Sequence, residues 1–297
     1  ESIKNGTAYD SKRKQKMKIG VDVLPFIPKD STDRNRTSPF AFTGNKFEFR
    51  SLGSSLSISG PNTTLNAIVA NTLKQFADEL EKAKDFENSL HKLIRREITE
   101  HWKIIFNGNG YDSSWVEEAQ QRGLLNLKTL PDAMAEYLNP KNIKLFTDMG
   151  VYTQIEMESH YDIKLEKYCQ VLNIEVETML EMINKDILPA VFKYMNAISD
   201  TVIKVKQAFP EAECSAEKIL LQKLDSHVNN LSKKADEIWI KHNEANKLTN
   251  IMECAKAYAN DILPAMEEAR YFADEMEPLL GEEYKPFPSY EDLLFRI

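Results

Sequence analysis

The sequence predicts a mainly α-helical protein with a small β element, and three observations carry this prediction. From residue 61 onward, apolar residues recur at intervals of three and four, which is the spacing of one helix face. A short segment, KFEFR at residues 46–50, instead alternates polar and apolar residues, as a half-buried strand does. The 297 residues are 42% hydrophobic and 28% charged, close to the average for globular proteins, so most of the chain is expected to fold.

Charge is distributed unevenly along the chain. The net charge is -8, but residues 1–50 contain 11 basic and 6 acidic side chains and therefore carry +5. The acidic remainder argues against nucleic acid as a partner, since a nucleic-acid surface attracts basic proteins. The basic amino-terminal segment suits a site that handles anions such as phosphate or carboxylate. No apolar run approaches the roughly 18 residues that a membrane span needs, so no membrane association is expected.

Cysteine and histidine spacing gives no metal or redox motif. The three cysteines, Cys169, Cys214 and Cys254, are far apart, which predicts free thiols in a reducing cytoplasm. All five histidines fall in the helical part of the chain. His227 and His242 lie on or near an apolar helix face, and we interpret them as packing residues and not as metal ligands.

The second half of the chain predicts a bundle of long helices, at about 153–184, 186–208, 215–247 and 249–278. The third shows the clearest apolar stripe, which steps by three or four through Leu220, Leu224, Val228, Leu231, Ala235, Ile238, His242 and Ala245. Such a stripe is typical of the seam of a helix bundle or an antiparallel coiled coil. The final stretch, residues 284–297, is rich in proline and then apolar, and we expect it to dock against the body.

The pentapeptide DILPA occurs twice, at residues 186–190 and 261–265. Each copy places a proline inside a helical pattern, where it removes one backbone donor and is expected to kink or break the helix. The repeat also raises the possibility of a duplicated helical hairpin.

The KFEFR segment is the part of the chain that indicates chemistry. In a strand, Lys46, Glu48 and Arg50 would point to one face while the phenylalanines between them point into a core. A carboxylate between two cations stays ionised and could bind a divalent metal, while the cations meet phosphate or carboxylate oxygens. An exposed row of ion pairs would give the same pattern, and the pattern alone favours that simpler interpretation.

Longer segments around KFEFR resemble type III glutamine synthetases. The resemblance is carried by NRTSPFAFTGNKFEFR at residues 35–50, LGSSLSISGPNTTLNAIVA at 52–70, IIFNGNGYDSSWVEEAQQRGL at 104–124 and PSYEDLLFRI at 288–297. KFEFR itself is similar to the (Arg/Lys)-x-Glu-x-Arg strand of glutamine synthetases more broadly. The resemblance implies the carboxy-terminal part of a catalytic α/β domain at residues 1–108, followed by a helical type III carboxy-terminal domain at 109–297.

The family resemblance implies part of an ATP-dependent glutamate–ammonia ligase, which makes glutamine through a γ-glutamyl phosphate. It assigns Glu48 as a metal ligand, with Mg or Mn as the metal, and Arg50 as the residue that holds substrate glutamate. Lys46 and Arg36 are implied to face the ATP phosphates, and Arg36 also has a catalytic role during phosphoryl transfer. Glutamate, ammonia and ATP are then the small-molecule partners, and the protein forms a ring-based homo-oligomer, a dodecamer in the family.

The sequence departs from the family pattern in three ways. Ala41 stands where bacterial type I enzymes have a second arginine, and Lys46 stands where those enzymes have an arginine. The remaining metal ligands of the family lie upstream, and the chain begins at Glu1 without a methionine, so we interpret it as a piece of a longer, cytoplasmic enzyme that is inactive by itself. The alternative is a stand-alone helical interaction or scaffold protein without catalytic activity.

Overall fold

The computed structural model describes residues 2–5, 16–17, 27–28, 40–42, 47–49, 56–106 and 112–295. The chain divides into two compact units. Unit 1 comprises Glu1–Leu127 and Pro140–Gln154, and unit 2 comprises Lys128–Asn139 and Ile155–Ile297. The prediction of a mainly α-helical chain with a small β element is confirmed. The proposed boundary between two family domains at residue 108 stays a prediction.

Helices dominate the described residues. They are α1 (Ser2–Asn5), α2 (Ser59–Leu80), α3 (Phe86–Glu100), α4 (Ser113–Gln121), α5 (Leu130–Tyr137), α6 (Pro140–Asp148), α7 (Gln154–Met182), α8 (Leu188–Ala208), α9 (Ser215–Ala245), α10 (Ile251–Ala257), α11 (Leu263–Met276) and α12 (Tyr290–Leu294). The strands are short: β1 (Lys16–Met17) pairs antiparallel with β2 (Ile27–Pro28), and β3 (Phe40–Phe42) pairs antiparallel with β4 (Phe47–Phe49). No helix among the described residues is both long and apolar enough to cross a membrane.

Unit 1 contains helices α2, α3, α4 and α6, and α2 contacts both α3 and α6. Helix α3 begins after Asp85, whose carboxylate accepts a hydrogen bond from the backbone N–H of Asn88 at 3.1 Å. This cap satisfies one of the backbone donors that a helix start leaves open. The sequence also predicts that the helices of residues 61–107 pack against the β element of residues 1–60. This stays a prediction, because most of residues 1–55 lie outside the described residues.

Unit 2 is the predicted bundle of long helices. Helix α9 packs along both α8 and α11, and its predicted stripe is buried from Leu224 to Ala245. The core of this unit draws on α5, α7, α8, α9, α10 and α11, and its fully buried side chains include Leu165, Val176, Val191, Leu224, Leu231, Ile238, Tyr258 and Ile262. Because each apolar stripe faces another, the helices of unit 2 cover one another from water.

The sequence predicted that the two DILPA prolines kink or break their helices, and the structure shows that neither helix is broken. The chain stays helical from Gln154 to Ala208, and a π-helical turn over Ile183–Ile187 joins α7 to α8. In this turn the N–H of Leu188 donates to the carbonyl of Ile183, five residues back, directly before Pro189. The turn directly before the proline therefore contains one residue more than an α-helical turn. Proline lacks an N–H, and in a regular α-helix its ring would press on the carbonyl four residues back.

The second DILPA copy has the same local structure. A π-helical turn over Tyr258–Ile262 joins α10 to α11, and the N–H of Leu263 donates to the carbonyl of Tyr258 before Pro264. The repeated pentapeptide therefore encodes a repeated backbone feature, one on each side of α9 in sequence. Whether the surrounding hairpins are duplicated stays a prediction.

The predicted docking of the final stretch is wrong for its last residues. Phe287 is partly covered, but Tyr290, Leu293, Leu294 and Phe295 are exposed by 61% or more. Helix α12 begins after Ser289, whose N–H and hydroxyl both donate to a carboxylate oxygen of Asp292 at 2.8 Å. These hydrogen bonds satisfy polar groups at the start of the helix.

Candidate functional site

The strand that carries the predicted chemistry is present. Residues 47–49 form β4, which confirms the centre of the strand predicted at residues 46–50. Glu48 is the middle residue of β4, and its backbone partner across the hairpin is Ala41 of β3. The position at which the sequence departs from type I enzymes is therefore the direct strand partner of the predicted metal ligand.

The other predicted site residues, Arg36, Lys46 and Arg50, lie outside the described residues. Lys46 directly precedes β4 and Arg50 directly follows it in the chain. Their roles, and that of Glu48 as a metal ligand, stay predictions based on the family resemblance.

A surface cluster at the end of α3 is the closest grouping of ligand-type side chains among the described residues. Ligand atoms of Glu97, Glu100 and His101 lie within 4.8 Å of one another. Arg96 donates to the Glu97 carboxylate at 3.0 Å, and Nε2 of His101 lies 3.3 Å from the other Glu97 oxygen. Because these partners already engage Glu97, the cluster is explained as a solvated ion-pair group.

His242 is a deeply buried polar side chain of unit 2, with 2% of its surface exposed. Its Nδ1 lies 3.2 Å from the hydroxyl of Tyr258, and its Nε2 lies 3.1 Å from Nδ2 of Asn246. The Tyr258 hydroxyl also donates to Oδ1 of Asn246 at 3.1 Å, and Asn246 Nδ2 reaches Oδ1 of Asn173 at 3.3 Å. These hydrogen bonds link α7, α9 and the second π-helical turn.

The hydrogen bonds assign one tautomer to His242. The Tyr258 hydroxyl donates its single proton to Asn246, so its oxygen must accept a hydrogen bond from Nδ1 of His242. Nε2 is then unprotonated and accepts from the Asn246 amide. With a neutral imidazole, both ring nitrogens and the Tyr258 hydroxyl have hydrogen-bond partners, as a buried network requires.

Burial sets the charge state of this network. It lowers the pKa of His242 below its ordinary value, although the Glu177 carboxylate, 3.9 Å from Nε2, acts in the opposite direction. Burial also raises the pKa of Tyr258 to about 12, so the phenol stays protonated. The interpretation of His242 as a packing residue is confirmed, because it lies in the core with neutral hydrogen-bond partners on both ring nitrogens.

The three cysteines are free thiols, as predicted. Cys169 of α7 and Cys254 of α10 are both buried. Burial, together with a hydrogen bond to Cys254, raises the pKa of the Cys169 thiol to about 12. A thiol held in its protonated form is a poor nucleophile, so we interpret Cys169 as a structural residue.

Sequence reasoning missed the partners of His242. Asn246 follows His242 by four residues, so both lie on one helix face, and this spacing could have suggested the pair. Tyr258 comes from another element, and its role depends on the π-helical turn that the pattern did not predict.

Comparison with known proteins shows what the chain is similar to. Residues 89–206 match the model described as the glutamine synthetase C-terminal domain. The chain is 36% identical over its whole length to a glutamine synthetase of Butyrivibrio fibrisolvens, of which it covers 42%. It is 32% identical over 99% of its length to a type-3 glutamine synthetase of Dictyostelium discoideum, of which it covers 41%.

A third relative, a glutamine synthetase of Bacteroides fragilis (strain YCH46), is 31% identical over 95% of the chain. The chain spans about two fifths of the length of these relatives. The similarity nevertheless extends over almost all of the chain, from the strand that contains Glu48 to the end of the bundle. Almost all of the chain is therefore similar to part of a glutamine synthetase, one of the relatives being a type-3 enzyme, and residues 89–206 match the C-terminal domain of glutamine synthetases.

Proposed function

We propose that the protein containing this chain is a glutamate–ammonia ligase, which uses ATP to make glutamine through a γ-glutamyl phosphate. The observation that supports this proposal is similarity to glutamine synthetases over nearly the whole chain, including the strand that contains Glu48. The same similarity favours an enzyme portion over the alternative of a stand-alone helical scaffold.

In this proposal the first 50 residues supply one wall of the catalytic site. Glu48 contributes one carboxylate ligand to a divalent metal, Mg or Mn, for which carboxylate oxygens are suitable ligands. When bound, such a metal neutralises charge that develops on the phosphate oxygens. A single carboxylate is too few ligands for such a site, so the other ligands must come from the rest of the protein.

The three cations hold anions in this proposal. Arg50 binds substrate glutamate through the two-pronged guanidinium, which matches a carboxylate. Lys46 and Arg36 face the ATP phosphates, and Arg36 stabilises the charge of the phosphoryl group during transfer. Each is a fixed positive charge in the part of the chain whose net charge is opposite to that of the remainder.

The test of this site is Glu48→Gln in the full protein, because this change removes the charge and keeps the shape. The rate of glutamine formation should fall by about 100-fold or more, which is typical when a group that stabilises charge in the transition state is removed. The Mg²⁺ concentration for half-maximal activity should rise. Glu81→Gln, at an exposed carboxylate after α2, is the matched control and should leave both quantities unchanged. Unaltered activity and metal dependence in Glu48→Gln would remove Glu48 from the site.

We further propose that the helical region from about residue 110 onward, which includes unit 2, is an assembly or regulatory module of a ring-based homo-oligomer, a dodecamer in the family. In its described residues the long helices bury one apolar core, while acidic and basic side chains at intervals of four form exposed ion pairs such as Lys185 with Glu181. Deletion of residues 110–297 from the full protein tests the module. Light scattering should show a smaller assembly, and an unchanged mass would count against this role.

The compartment is also a proposal. The free thiols of Cys169, Cys214 and Cys254 suit a reducing cytoplasm, because secreted proteins commonly pair such residues in disulfides. Cell fractionation with an antibody against the full protein tests this assignment, and recovery in an oxidising compartment would contradict it.

A further inference from the structure

A long groove in unit 2 runs between the two π-helical turns. One wall comes from the first turn and its flanks, including Ile183, Ile187 and Val191. The opposite wall begins at Leu263, directly after the second turn, and continues along α11 to Met276. The groove encloses a volume of about 630 Å³. The two copies of DILPA thus meet across one feature of the surface.

The groove is elongated. Its first wall extends from Ile174 to Val191, which at ~1.5 Å of rise per residue corresponds to roughly 25 Å. That length corresponds to nearly five turns of a helix. Extended apolar grooves of this kind accept amphipathic helices, whose anchors are spaced three and four residues apart.

The interior of the groove is apolar and adaptable. Four methionines contribute to it, together with isoleucine, valine and leucine side chains: Met179, Met182, Met266 and Met276. Methionine is flexible and polarisable, so surfaces rich in it adjust to the apolar face of a partner. Val191 and Met276 are buried at the base, whereas Ile174 and Met182 are 61% and 38% exposed along the wall. The open wall is therefore accessible to a partner.

Carboxylates surround the groove. Glu175, Glu267, Asp274 and Glu277 line it, against a single cation, Arg270. Arg270 pairs with Asp274 at 3.2 Å, and Lys285, which directly precedes the lining residue Pro286, interacts electrostatically with Glu277. Glu175 and Glu267 leave the rim with a net negative charge. A positively charged partner is attracted to such a rim, and an anionic one is repelled.

We propose that this groove binds an amphipathic helix of another protein that has an apolar face flanked by lysine and arginine. The apolar interior receives the helix anchors, and the acidic rim selects basic flanks. This inference depends on unit 2 alone and does not require the proposed ligase activity.

The test uses synthetic peptide probes and the full protein that contains the chain. The first probe is a helical peptide of about 18 residues with leucines at helical spacing on one face and lysines beside them. The second has glutamate at each lysine position, and the third has the first composition in scrambled order. Fluorescence anisotropy should show saturable binding of the first probe alone, weaker at high salt.

Two sets of variants locate the binding. The triple change Glu175→Gln, Glu267→Gln and Glu277→Gln should weaken binding about tenfold and reduce its salt dependence. Equivalent changes at Glu166, Glu211 and Glu244, exposed carboxylates outside the groove, are the matched control. Met182→Ser should also weaken binding about tenfold, whereas Ile163→Ser, at an exposed apolar position of the same helix outside the groove, should not.

Several results would overturn the proposal. Absence of saturable binding by the lysine probe would do so, as would equal binding of the glutamate or scrambled probe. Binding that neither groove variant alters would locate the peptide elsewhere. If Met182→Ser instead reduced self-association while no probe bound, the occupant would be a second copy of the chain.

Discussion

The two units cover their apolar surface in different ways. In unit 2 the helices bury one another's stripes, and Leu231 and Ile238 are fully inaccessible. In unit 1 the apolar residues Val69 and Leu73 of α2 are 48% and 59% exposed, although they lie at helical spacing. An apolar helix face that its own unit leaves exposed is normally covered by another part of the protein. The core of unit 2 is thus closed by helices of this chain, whereas the face of α2 is left exposed by the described residues of unit 1.

The tryptophans separate the two units experimentally. Trp102 and Trp115 belong to unit 1, and Trp239 belongs to unit 2. The double variant Trp102→Phe/Trp115→Phe therefore reports on unit 2 alone, and Trp239→Phe reports on unit 1 alone. Urea unfolding followed by tryptophan emission then measures each unit.

The largest expected effect comes from the core of unit 2. Leu231→Ala removes a fully buried side chain and should lower the free energy of unfolding of unit 2 by about 3 kcal/mol. Val69→Ala, on the open face of α2, should change that of unit 1 by less than about 0.5 kcal/mol in the isolated chain. If Val69→Ala lowered the free energy of unfolding as much as Leu231→Ala, the contrast between the units would be wrong, because the face of α2 would then be buried within the chain.

The hydrogen-bond network of His242 should give the next largest effect. Tyr258→Phe removes the hydroxyl that bonds both His242 and Asn246, and leaves their polar atoms unsatisfied. The free energy of unfolding of unit 2 should fall by about 2 kcal/mol. Tyr194→Phe is the control, since this partly buried ring packs against Tyr284 at 5.0 Å between centroids, and its removal of a hydroxyl should cost little. Equal effects of the two changes would show that the network adds nothing specific.

Each unit contains a helix whose first turn is capped by a side chain, so a capping residue can be replaced by alanine in both units and the losses of stability compared. Asn250 accepts from the N–H groups of Met252 and Glu253 at the start of α10, and Asp85 accepts from Asn88 at the start of α3. Asn250→Ala should lower the stability of unit 2 by about 1 kcal/mol, and Asp85→Ala that of unit 1 by a similar amount. Each loss should be observed in the emission of the tryptophans of its own unit. A loss that appeared only in the other unit's signal would contradict the assignment of these caps.

The smallest expected effect is the pH dependence of unit 2. Burial lowers the pKa of His242 in the folded state, so the unfolded chain binds more protons near pH 6 than the folded chain does. Stability contributed by neutral His242 is therefore present above its ordinary pKa of about 6.5 and is lost as pH falls from there toward the lower folded-state pKa. Urea midpoints of unit 2 measured at pH 7.5 and pH 5.5 should show this decrease.

His242→Gln is the control for that titration, because it retains hydrogen-bonding capacity without a proton that titrates in this range. The difference between the two pH values should shrink in this variant. Trp239 is a suitable probe, since its ring lies 6.3 Å from that of His242. An unchanged pH difference in His242→Gln would assign the effect to other groups.

Local pattern was sufficient to predict the elements. The spacing from Leu220 to Ala245 predicted α9 and its buried face, and the alternation around Glu48 predicted β4. Family resemblance, and not the pattern, gave Glu48 its proposed role, because an exposed ion row has the same alternation. The roles of Arg36, Lys46 and Arg50 stay predictions for the same reason.

Two features could not be predicted because they depend on contacts between distant segments. The pattern located the DILPA prolines, but the insertion of one extra residue before Pro189 and Pro264 is one of several ways in which a helix can accommodate proline. The final stretch has an apolar composition that suggests docking, yet Leu293 and Leu294 find no cover, since an apolar side chain becomes buried only where a partner surface lies opposite.

The amino-acid sequence by itself determined the helical class, the apolar stripes, the free cysteines and the family resemblance, because these depend on local spacing and residue type. Tertiary structure alone decided which stripes are covered, which tautomer His242 adopts and which residues form the groove between the π-helical turns. The physical reason is that burial, hydrogen-bond partners and groove shape are properties of surfaces brought together from far along the chain. Unit 2 has both surfaces of each such contact within this chain, and unit 1 leaves the face of α2 open.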